Sequence, residues 1–412
     1  MNAPGALQDL AQQGPPLALA EALLALPRGA PIDLPPHAVQ GALTALLSAG
    51  RPTEAADLHA RALTAGLALP FPNKLILALA EARQRDAAHC LACETTFPGP
   101  PLPWHFITRM NLLEWTGAPE LGLKFATEGA ALFPKNGPLL AAHARLAFLT
   151  GQPPEEVARL CDAALPHAPA DTLPLLQQLA SLSRHGTADL ADLTLSLPAP
   201  AVSPFVALTI LSGHYEAAEI AAITQDITPD DRLLELGAGI GLVALNAARA
   251  APGLQILAVE ANPDLAPAIR RNFELNACDA PLISAIAALK DGEAAFHLAP
   301  DFWASSTEPG VGDTTVTRPT VDVNRLIAEF RPTILSMDIE GGEIALLPHL
   351  DLTDLRRLVI EFHPEHGPAA PISACIADLL AQGFVLDIAQ GSPQVLVFDR
   401  APAAPSPMPT GE

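Results

Sequence analysis

The sequence predicts two folds in succession: an all-α repeat region in residues 1–190 and an α/β domain in residues 207–400. In the first half, glycines and prolines recur in steps of about 34 residues. Prolines then interrupt the helical pattern, and beyond them helical segments alternate with short apolar segments. Strands that alternate with helices form a mostly parallel sheet covered on both faces. We therefore expect a helical domain followed by a sheet-based one.

Three similar segments mark the repeats. They begin at Gly50-x-Pro52, Gly117-x-Pro119 and Gly151-x-Pro153, and 83–86 falls where a fourth should begin. The period resembles that of tetratricopeptide helix pairs, although the consensus aromatic residues are mostly missing. We expect a tetratricopeptide-like solenoid over about residues 35–185. Such arrays usually bind a partner on a concave surface; the alternative is that the array caps or dimerises the other domain.

Residues 191–206 are expected to be a linker, because Pro198, Pro200 and Pro204 interrupt any helix. Beyond them, seven apolar segments indicate the strands of a seven-stranded sheet: 232–236, 255–259, 282–286, 333–337, 357–362, 385–388 and 394–398. The last two are close in the chain and predict an antiparallel hairpin at the sheet edge. Residues 401–412 are rich in proline and alanine, and we expect a disordered tail.

A carboxylate stands at the end of the first predicted strand, directly before a glycine turn. Glu235 is followed by three alternate glycines, Gly237, Gly239 and Gly241. Glycine lets the backbone turn sharply and approach a ligand closely. A dinucleotide site would need G-x-G-x-x-G and a helix start open to a pyrophosphate, which Glu235 would repel. S-adenosylmethionine (SAM) carries an ammonium and a sulfonium, so a carboxylate attracts it. The motif therefore predicts a SAM site.

The second predicted strand ends in Glu260-Ala261-Asn262. An acidic residue roughly 20 residues beyond the glycine turn is placed to accept both ribose hydroxyls of a nucleoside. We expect Glu260 and Asn262 to bind the cofactor. The alternative is that Glu235 and Glu260 are solvated strand ends and that the glycines only make a tight turn.

More ionisable residues follow the fourth and fifth predicted strands. Asp338 and Glu340 come after 333–337, and His363 comes after 357–362. Ligands bind outside the carboxyl ends of parallel strands, so these side chains should face the same crevice as Glu235 and Glu260. They are candidates for an active site.

On these motifs the sequence resembles the FkbM-type methyltransferases over about residues 213–365. Two departures are visible: Ser336 stands where the family usually has lysine, and Gly239 where it commonly has asparagine. The resemblance is carried by these separated pieces: Tyr215-Glu216, 234–241, 260–263, Asn272 with Asn276, 320–322, 338–343 and 361–363.

The resemblance implies a Rossmann-like class I methyltransferase fold that uses SAM. We expect O-methylation of a hydroxyl on a sugar, glycan or other metabolite. His363 is the first candidate for the general base, because an unperturbed imidazole titrates near working pH. Asp338 is the second candidate, and Glu340 lies beside it. Tyr215 either covers the cofactor or is a buried anchor.

Several alternatives stay open at this point. His363 can be a loop residue before Pro364, Glu361 an ion-pair partner, and Glu343 a carboxylate that complements a helix dipole. Asp338, Glu340 and His363 could hold a metal, but residue spacing does not show an octahedral geometry, so no metal is predicted. The domain could also be a SAM-sensing scaffold without the family lysine, or a protein N-methyltransferase.

Composition excludes some classes of partner. The formal charge is −22, and residues 1–190 carry 12 Lys and Arg against 16 Asp and Glu while the remainder carries 11 against 29. Such an acidic surface repels nucleic acid. The five cysteines are too sparse for a disulfide scaffold, and Cys90-x-x-Cys93 lacks a second pair at zinc spacing. With neither a secretory signal nor a membrane-spanning segment in the sequence, we expect a cytoplasmic protein.

Overall fold

The computed structural model describes residues 4–27, 29–67, 69, 75, 100–310, 314–364 and 369–401. The chain divides into two compact units, Met1–Ala180 and Ser181–Glu412. The predicted fourth repeat start at 83–86 and the pair Cys90 and Cys93 lie outside the described residues. So does the predicted disordered tail, apart from its first residue.

The first unit, in its described residues, consists of helices and turns. Most of the helices begin with proline, whose missing N–H costs nothing at the first helical position. Their buried residues are mainly leucine and alanine. No helix in the described ranges combines the length and apolar character that crossing a membrane requires. The helices are α1 (Pro4–Gln13), α2 (Pro16–Leu24), α3 (Pro36–Ser48), α4 (Pro52–Thr64), α5 (Pro103–Trp115), α6 (Pro119–Leu132), α7 (Gly137–Leu149), α8 (Pro154–Ala164) and α9 (Leu173–His185), which continues into the second unit.

The repeated glycine-proline motifs are turns between helices. Gly50, Gly117 and Gly151 all have positive φ and lie just beyond the last residues of α3, α5 and α7. After each of them, a backbone N–H donates to the carbonyl five residues earlier, at 2.8–2.9 Å, as in a Schellman motif. Proline then begins or directly precedes the next helix. The predicted helical character of this region is confirmed, whereas the tetratricopeptide identity does not follow from these turns.

The segment 191–206, predicted as a linker, contains regular structure. Strand β1 (Thr187–Leu190) pairs antiparallel with β2 (Leu193–Ser196), and α10 (Pro204–Leu211) begins shortly afterwards. The backbone N–H groups of Thr194 and Ser196 donate to the side-chain oxygens of Asn276 and Asn272, at 2.9 and 2.7 Å. These contacts join residues far apart in the chain, so proline content could not reveal them.

The remaining elements alternate as predicted. The helices are α11 (Ala217–Thr224), α12 (Leu242–Ala250), α13 (Ala266–Leu275), α14 (Val323–Phe330), α15 (Glu343–Leu346) and α16 (Ala369–Ala381). The strands are β3 (Arg232–Leu236), β4 (Gln255–Val259), β5 (Leu282–Ile283), β6 (Ile286–Ala288), β7 (Gly292–Leu298), β8 (Thr314–Asp322), β9 (Ile334–Met337), β10 (Arg357–Glu361), β11 (Phe384–Leu386) and β12 (Val395–Arg400).

A seven-stranded sheet forms the centre of the second unit. Its order is β11-β12-β10-β9-β3-β4-β5. β12 is antiparallel to its neighbours β10 and β11, and the other pairs are parallel. The mostly parallel sheet and the hairpin at its edge are therefore confirmed. β3 lies between β4 and β9, so the chain changes direction across the sheet at this point, and a crevice forms at the carboxyl ends of these strands.

A separate three-stranded sheet has the order β6-β8-β7. The sequence predicted one strand over 282–286, but the chain there divides between β5 of the large sheet and β6 of the small one. β7 and β8 were not predicted. Most of their residues are partly or fully exposed, so the apolar run that marked the buried strands is missing.

Candidate active site

Three glycines build the turn after β3. Gly237, Gly239 and Gly241 have φ of +86°, +54° and +82°. A Cβ on Gly239 would lie 2.7 Å from the Tyr215 hydroxyl oxygen, and one on Gly241 would lie 2.7 Å from the ring of Phe273. A Cβ on Gly237 would collide with the Asp338 carbonyl oxygen. The turn therefore requires glycine for both its conformation and its close contacts.

Glu260 follows β4, and two backbone groups hold its carboxylate. The Gly239 N–H donates to Oε2 at 2.9 Å, and the Asn262 N–H donates to Oε1 at 2.6 Å. Burial raises the pKa of Glu260 to about 7, and the backbone hydrogen bonds limit this rise because they favour the ionised form. The fixed carboxylate can offer its remaining lone pairs to a ligand.

Glu235 and Asn262 are not among the residues that line the cavity described below. Glu235 is 2 % exposed, and burial raises its pKa to about 8. An interaction with the Ala244 backbone N–H limits this rise. The Asn262 side-chain oxygen accepts the Asp264 N–H at 3.0 Å in a local turn. The cofactor contacts of these two residues stay predictions.

A cavity of about 700 Å³ lies at the carboxyl ends of β3, β4 and β9. Its volume is in the range of small-molecule sites. The cavity brings together six of the predicted site residues, namely Tyr215, Gly237, Gly239, Glu260, Asp338 and Glu340. Much of the rest of its wall is apolar and includes Ile286, Phe296 and Leu346.

Tyr215 belongs to an aromatic part of the cavity wall. Its ring stacks on Trp303 with centroids 6.0 Å apart and meets Phe302 edge-on at 5.9 Å. Burial and the neighbouring Glu216 raise the pKa of Tyr215 well above its usual value. Tyr215 is therefore anchored by its neighbours and also lines the cavity, and its predicted role of covering the cofactor stays a prediction.

Asp338, Glu340 and His363 meet at the ends of β9 and β10. His363 Nε2 lies 3.5 Å from Asp338 Oδ1 and 3.3 Å from Glu340 Oε2. On the other side of the ring, Nδ1 lies 3.3 Å from Glu343 Oε1. Glu340 has φ of +51°, a conformation that residues other than glycine rarely adopt and that is common at functional sites.

Several ionisable groups in this region have pKa values far from their usual ones. Burial would lower the pKa of His363, but the hydrogen bond to Glu343 and the charges of Glu340 and Asp338 raise it to about 10. Burial, Glu361 and Glu340 raise the pKa of Asp338 well above its usual value. Burial and a hydrogen bond with the Glu219 carboxyl raise the pKa of Glu361 to about 8. Such a cluster of carboxyl groups favours the approach of a cation.

Sequence reasoning missed several members of this cluster. A carboxylate that complements a helix dipole was the alternative given for Glu343; it does begin α15, but it is also 0 % exposed and contacts His363. Glu219 was given no role, and an ion pair was the alternative given for Glu361, which hydrogen-bonds another carboxyl. The acidic residues of 338–343 were a visible signal for Glu343, whereas the place of α11 against β10 was not readable from the sequence.

Comparison with known proteins gives one family match. Residues 235–386 match the family described as Methyltransferase FkbM domain. The match begins at Glu235 and includes Glu260, Asp338 and His363. No curated protein matches the chain.

Among solved structures, the chain is similar at low identity to two methyltransferases and to TYW2. Precorrin-6y C5,15-methyltransferase from Geobacter metallireducens GS-15 is 14% identical, with a TM-score of 0.29, over 50% of this chain and 94% of that one. M. jannaschii TYW2 in complex with AdoMet is 15% identical, with a TM-score of 0.30, over 52% and 86%. The mitomycin 7-O-methyltransferase MmcR is 16% identical, with a TM-score of 0.30, over 79% and 93%.

Proposed function

We propose that this chain, a SAM-dependent methyltransferase with an FkbM domain over residues 235–386, methylates a hydroxyl group on a sugar, a glycan or another metabolite. The observation that supports this best is the shared cavity. The oriented carboxylate of Glu260 and the acidic residues Asp338 and Glu340 line the same space. One end suits a nucleoside and the other can accept a proton.

The residues present fit SAM. Glu260 is held by two N–H groups and lines the cavity, so it can accept the ribose hydroxyls. The backbone of Gly237 and Gly239 lines the cavity, and the stacked rings of Tyr215 and Trp303 line it as well. Glu235 is buried in β3, shortly before the turn, and its ionised form would attract the ammonium or sulfonium from behind the cavity wall. When bound, SAM supplies a methyl group bonded to a positively charged sulfur.

The hydroxyl acceptor must lose a proton during transfer. Its oxygen forms the new O–C bond, the C–S bond breaks, and the products are a methyl ether and S-adenosylhomocysteine. We assign the proton to Asp338, which lines the cavity. His363 was the first candidate for the base, but it is 5 % exposed and is not among the lining residues. Its position suits orientation of Asp338 and Glu340.

Positioning supplies most of the catalysis in this proposal. Methyl transfer is an in-line displacement, and holding two reactants in line can contribute roughly 7 to 11 kcal/mol. The aromatic wall of Tyr215, Phe302 and Trp303 can hold the acceptor by apolar contact. It can also exclude water, which would compete with the acceptor for the hydrogen bonds of the site.

The helical unit is proposed to recruit the substrate or a partner. Its support is the series of helix pairs joined by glycine-proline turns, which is typical of repeat arrays that bind on one face. The tetratricopeptide-like solenoid belongs to this proposal.

A second candidate function is SAM sensing without catalysis. Ser336 replaces the family lysine and lies within β9, opposite Glu235 of β3 in the sheet register. It is 5 % exposed. If that lysine were needed for transfer, the chain would bind SAM and methylate nothing. Protein N-methylation is a third possibility, since the helical unit could deliver a polypeptide.

Transfer from labelled SAM separates these candidates. The full chain is incubated with methyl-labelled SAM and a panel of sugars, glycans, other hydroxyl metabolites and cell protein. We expect label in an ether on a hydroxyl compound, and loss of most of that activity in Asp338→Asn. Glu274→Gln, an exposed change on α13, serves as the control and should keep it. Label in protein amines would support N-methylation, and SAM binding without any labelled acceptor would support sensing.

A further inference from the structure

We propose that Asp338, Glu340 and His363 form a site for a divalent cation on the wall of the cavity. Each of these residues offers a ligand atom, and the three atoms lie within 4.8 Å of one another. Two carboxylates and an imidazole are ligands that suit Mn²⁺, Mg²⁺ and other divalent ions.

The two distances from His363 Nε2 to the carboxylate oxygens are close to those between ligand atoms around an ion. Two atoms that each lie about 2.1 Å from one ion, at angles of about 90 to 109°, are about 3.0 to 3.4 Å apart. His363 Nε2 lies 3.5 Å from Asp338 Oδ1 and 3.3 Å from Glu340 Oε2. All three ligand atoms lie within 4.8 Å of one another, so one ion can be shared among them.

Glu343 gives a second and independent indication. It is 0 % exposed and lies 3.3 Å from His363 Nδ1, on the side of the ring away from the two ligand carboxylates. The backbone N–H groups of Ile339 and Gly341 donate to the same Glu343 oxygen, at 3.0 and 3.4 Å, while Oε2 has no hydrogen-bond donor among the described residues. A carboxylate behind a metal-binding histidine is the usual outer partner, because it keeps the proton on one nitrogen and directs the other to the ion.

The carboxyl groups of Asp338, Glu340 and Glu343 surround a single imidazole, and such a set of ligands favours a bound cation. Asp338 Oδ1 is buried and finds no hydrogen-bond donor among the described residues. A divalent ion bound at His363 Nε2 and the two carboxylates would give this buried oxygen a partner.

The position of the site in the cavity suggests a catalytic role for the cation. That role rests on the proposed methylation of a hydroxyl. Asp338 and Glu340 line the same cavity as Gly237 and Glu260. An ion there could bind the acceptor oxygen and lower the pKa of its hydroxyl. The O–H bond would break with its proton passing to the second Asp338 oxygen or to water, and the resulting alkoxide would attack the methyl group.

Binding of Mn²⁺ to the full chain tests the site without any acceptor. Titration followed by electron paramagnetic resonance, which detects free Mn²⁺, should show one bound ion per chain. Asp338→Asn, Glu340→Gln and His363→Gln should each weaken binding by roughly tenfold or more, and Glu343→Gln by about tenfold. Glu274→Gln, an exposed glutamate outside the site, should bind as the wild type does. Thermal unfolding and SAM titration of each variant establish that it is folded.

Two outcomes would overturn the inference: no bound Mn²⁺, or equal Mn²⁺ affinity in the folded wild type and Asp338→Asn. Methyl transfer with and without a chelator then separates the two proposals. Undiminished transfer after chelation refutes the catalytic role of the cation and leaves the methyltransferase proposal standing. If Mn²⁺ binds at the site but no hydroxyl is methylated, the cation site stands and the proposed methylation of a hydroxyl is refuted.

Discussion

Of the three glycines in the turn after β3, Gly237 has the least space for a side chain. Its φ is +86°, and a Cβ at this position would collide with the Asp338 carbonyl oxygen. We expect Gly237→Ala to weaken SAM binding by at least about tenfold, because the turn must move away from β9. Calorimetric titration with SAM measures the change.

Gly253 provides the matched control for that variant. It has φ of +95°, but a Cβ there would meet nothing within 4 Å. Gly253→Ala therefore carries the backbone strain of about 1 to 2 kcal/mol without the collision. Equal loss of SAM affinity in both variants would mean that strain alone, and not contact with Asp338, explains the requirement for glycine.

Glu260 should make SAM binding depend on pH near neutrality. Burial raises its pKa to about 7, and only the ionised carboxylate offers both oxygens to the ribose hydroxyls. Affinity for SAM should be highest above pH 7 and should fall by up to about tenfold per unit below it, because binding then requires loss of a proton. Titration calorimetry at a series of values between about pH 5.5 and 8.5 measures the curve.

The amide variant shows whether Glu260 causes this dependence. Glu260→Gln should bind SAM more weakly by roughly 1.5 to 3 kcal/mol, the worth of hydrogen bonds to a charged group, and should lose the change near pH 7. Glu235 titrates nearby, with a pKa of about 8, so Glu235→Gln is the second variant to measure. A change near pH 7 that persists in Glu260→Gln would assign the titration to another group.

At the scale of elements, β8 holds the loops that follow β4 and β5. The Arg318 guanidinium donates to the Ala261 carbonyl and to the Ser284 carbonyl, both at 3.0 Å, and to the Ser284 hydroxyl at 2.7 Å. Ala261 follows Glu260 and lines the cavity. Arg318 therefore links the small sheet to the nucleoside end of the site.

We expect Arg318→Met to lower SAM affinity by about tenfold while the unit stays folded, because two loops lose their shared donor and the Ala261 and Ser284 carbonyls lose a charged partner. Arg271→Met is the control, since Arg271 pairs with Glu274 on the exposed face of α13. Unchanged affinity in Arg318→Met would mean that the loops keep their position without this side chain.

Some elements and site residues could be predicted from the sequence, and others could not. Glu260 and Asp338 could be placed because each directly follows a buried apolar strand, and parallel strand ends meet at one edge of a sheet. β7 and β8 could not be placed, because their residues are largely exposed and carry no apolar run. Arg318 was missed for the same reason.

Contacts between distant segments were the other limit. The stacking of Tyr215 on Trp303 and the hydrogen bond between the Glu219 and Glu361 carboxyls join elements whose packing no local pattern encodes. The three glycines, in contrast, were predictable because a single turn imposes positive φ on each of them. The sequence showed the acidic residues near His363, but it could not predict the distances between their side chains.

At the scale of the whole molecule, the second unit contains the complete candidate site. All the proposed cofactor-binding and catalytic residues lie between Tyr215 and His363, within Ser181–Glu412. The predicted domain start at 207 would remove β1 and β2 from that unit. Asn272 shows why this matters, since its side chain accepts the Ser196 N–H and donates to the Ile240 carbonyl of the glycine turn, at 2.7 and 3.0 Å.

Two truncated chains should therefore differ. A chain of residues 181–412 should unfold cooperatively and bind SAM as the full chain does, within about threefold. A chain of residues 207–412 should melt at a lower temperature and bind SAM more weakly. It loses the partners of Asn272 and Asn276, together with the buried side chains of Leu195 and Val202.

Calorimetric melting and SAM titration of both chains measure these differences. Asn272→Ala in the 181–412 chain isolates the link to the glycine turn, because it keeps the hairpin but removes both hydrogen bonds. We expect that variant to lose SAM affinity in the same direction as the shorter chain. Equal melting temperatures and equal affinities for the two truncated chains would show that the β1–β2 hairpin is a connector after all, as its prolines first suggested.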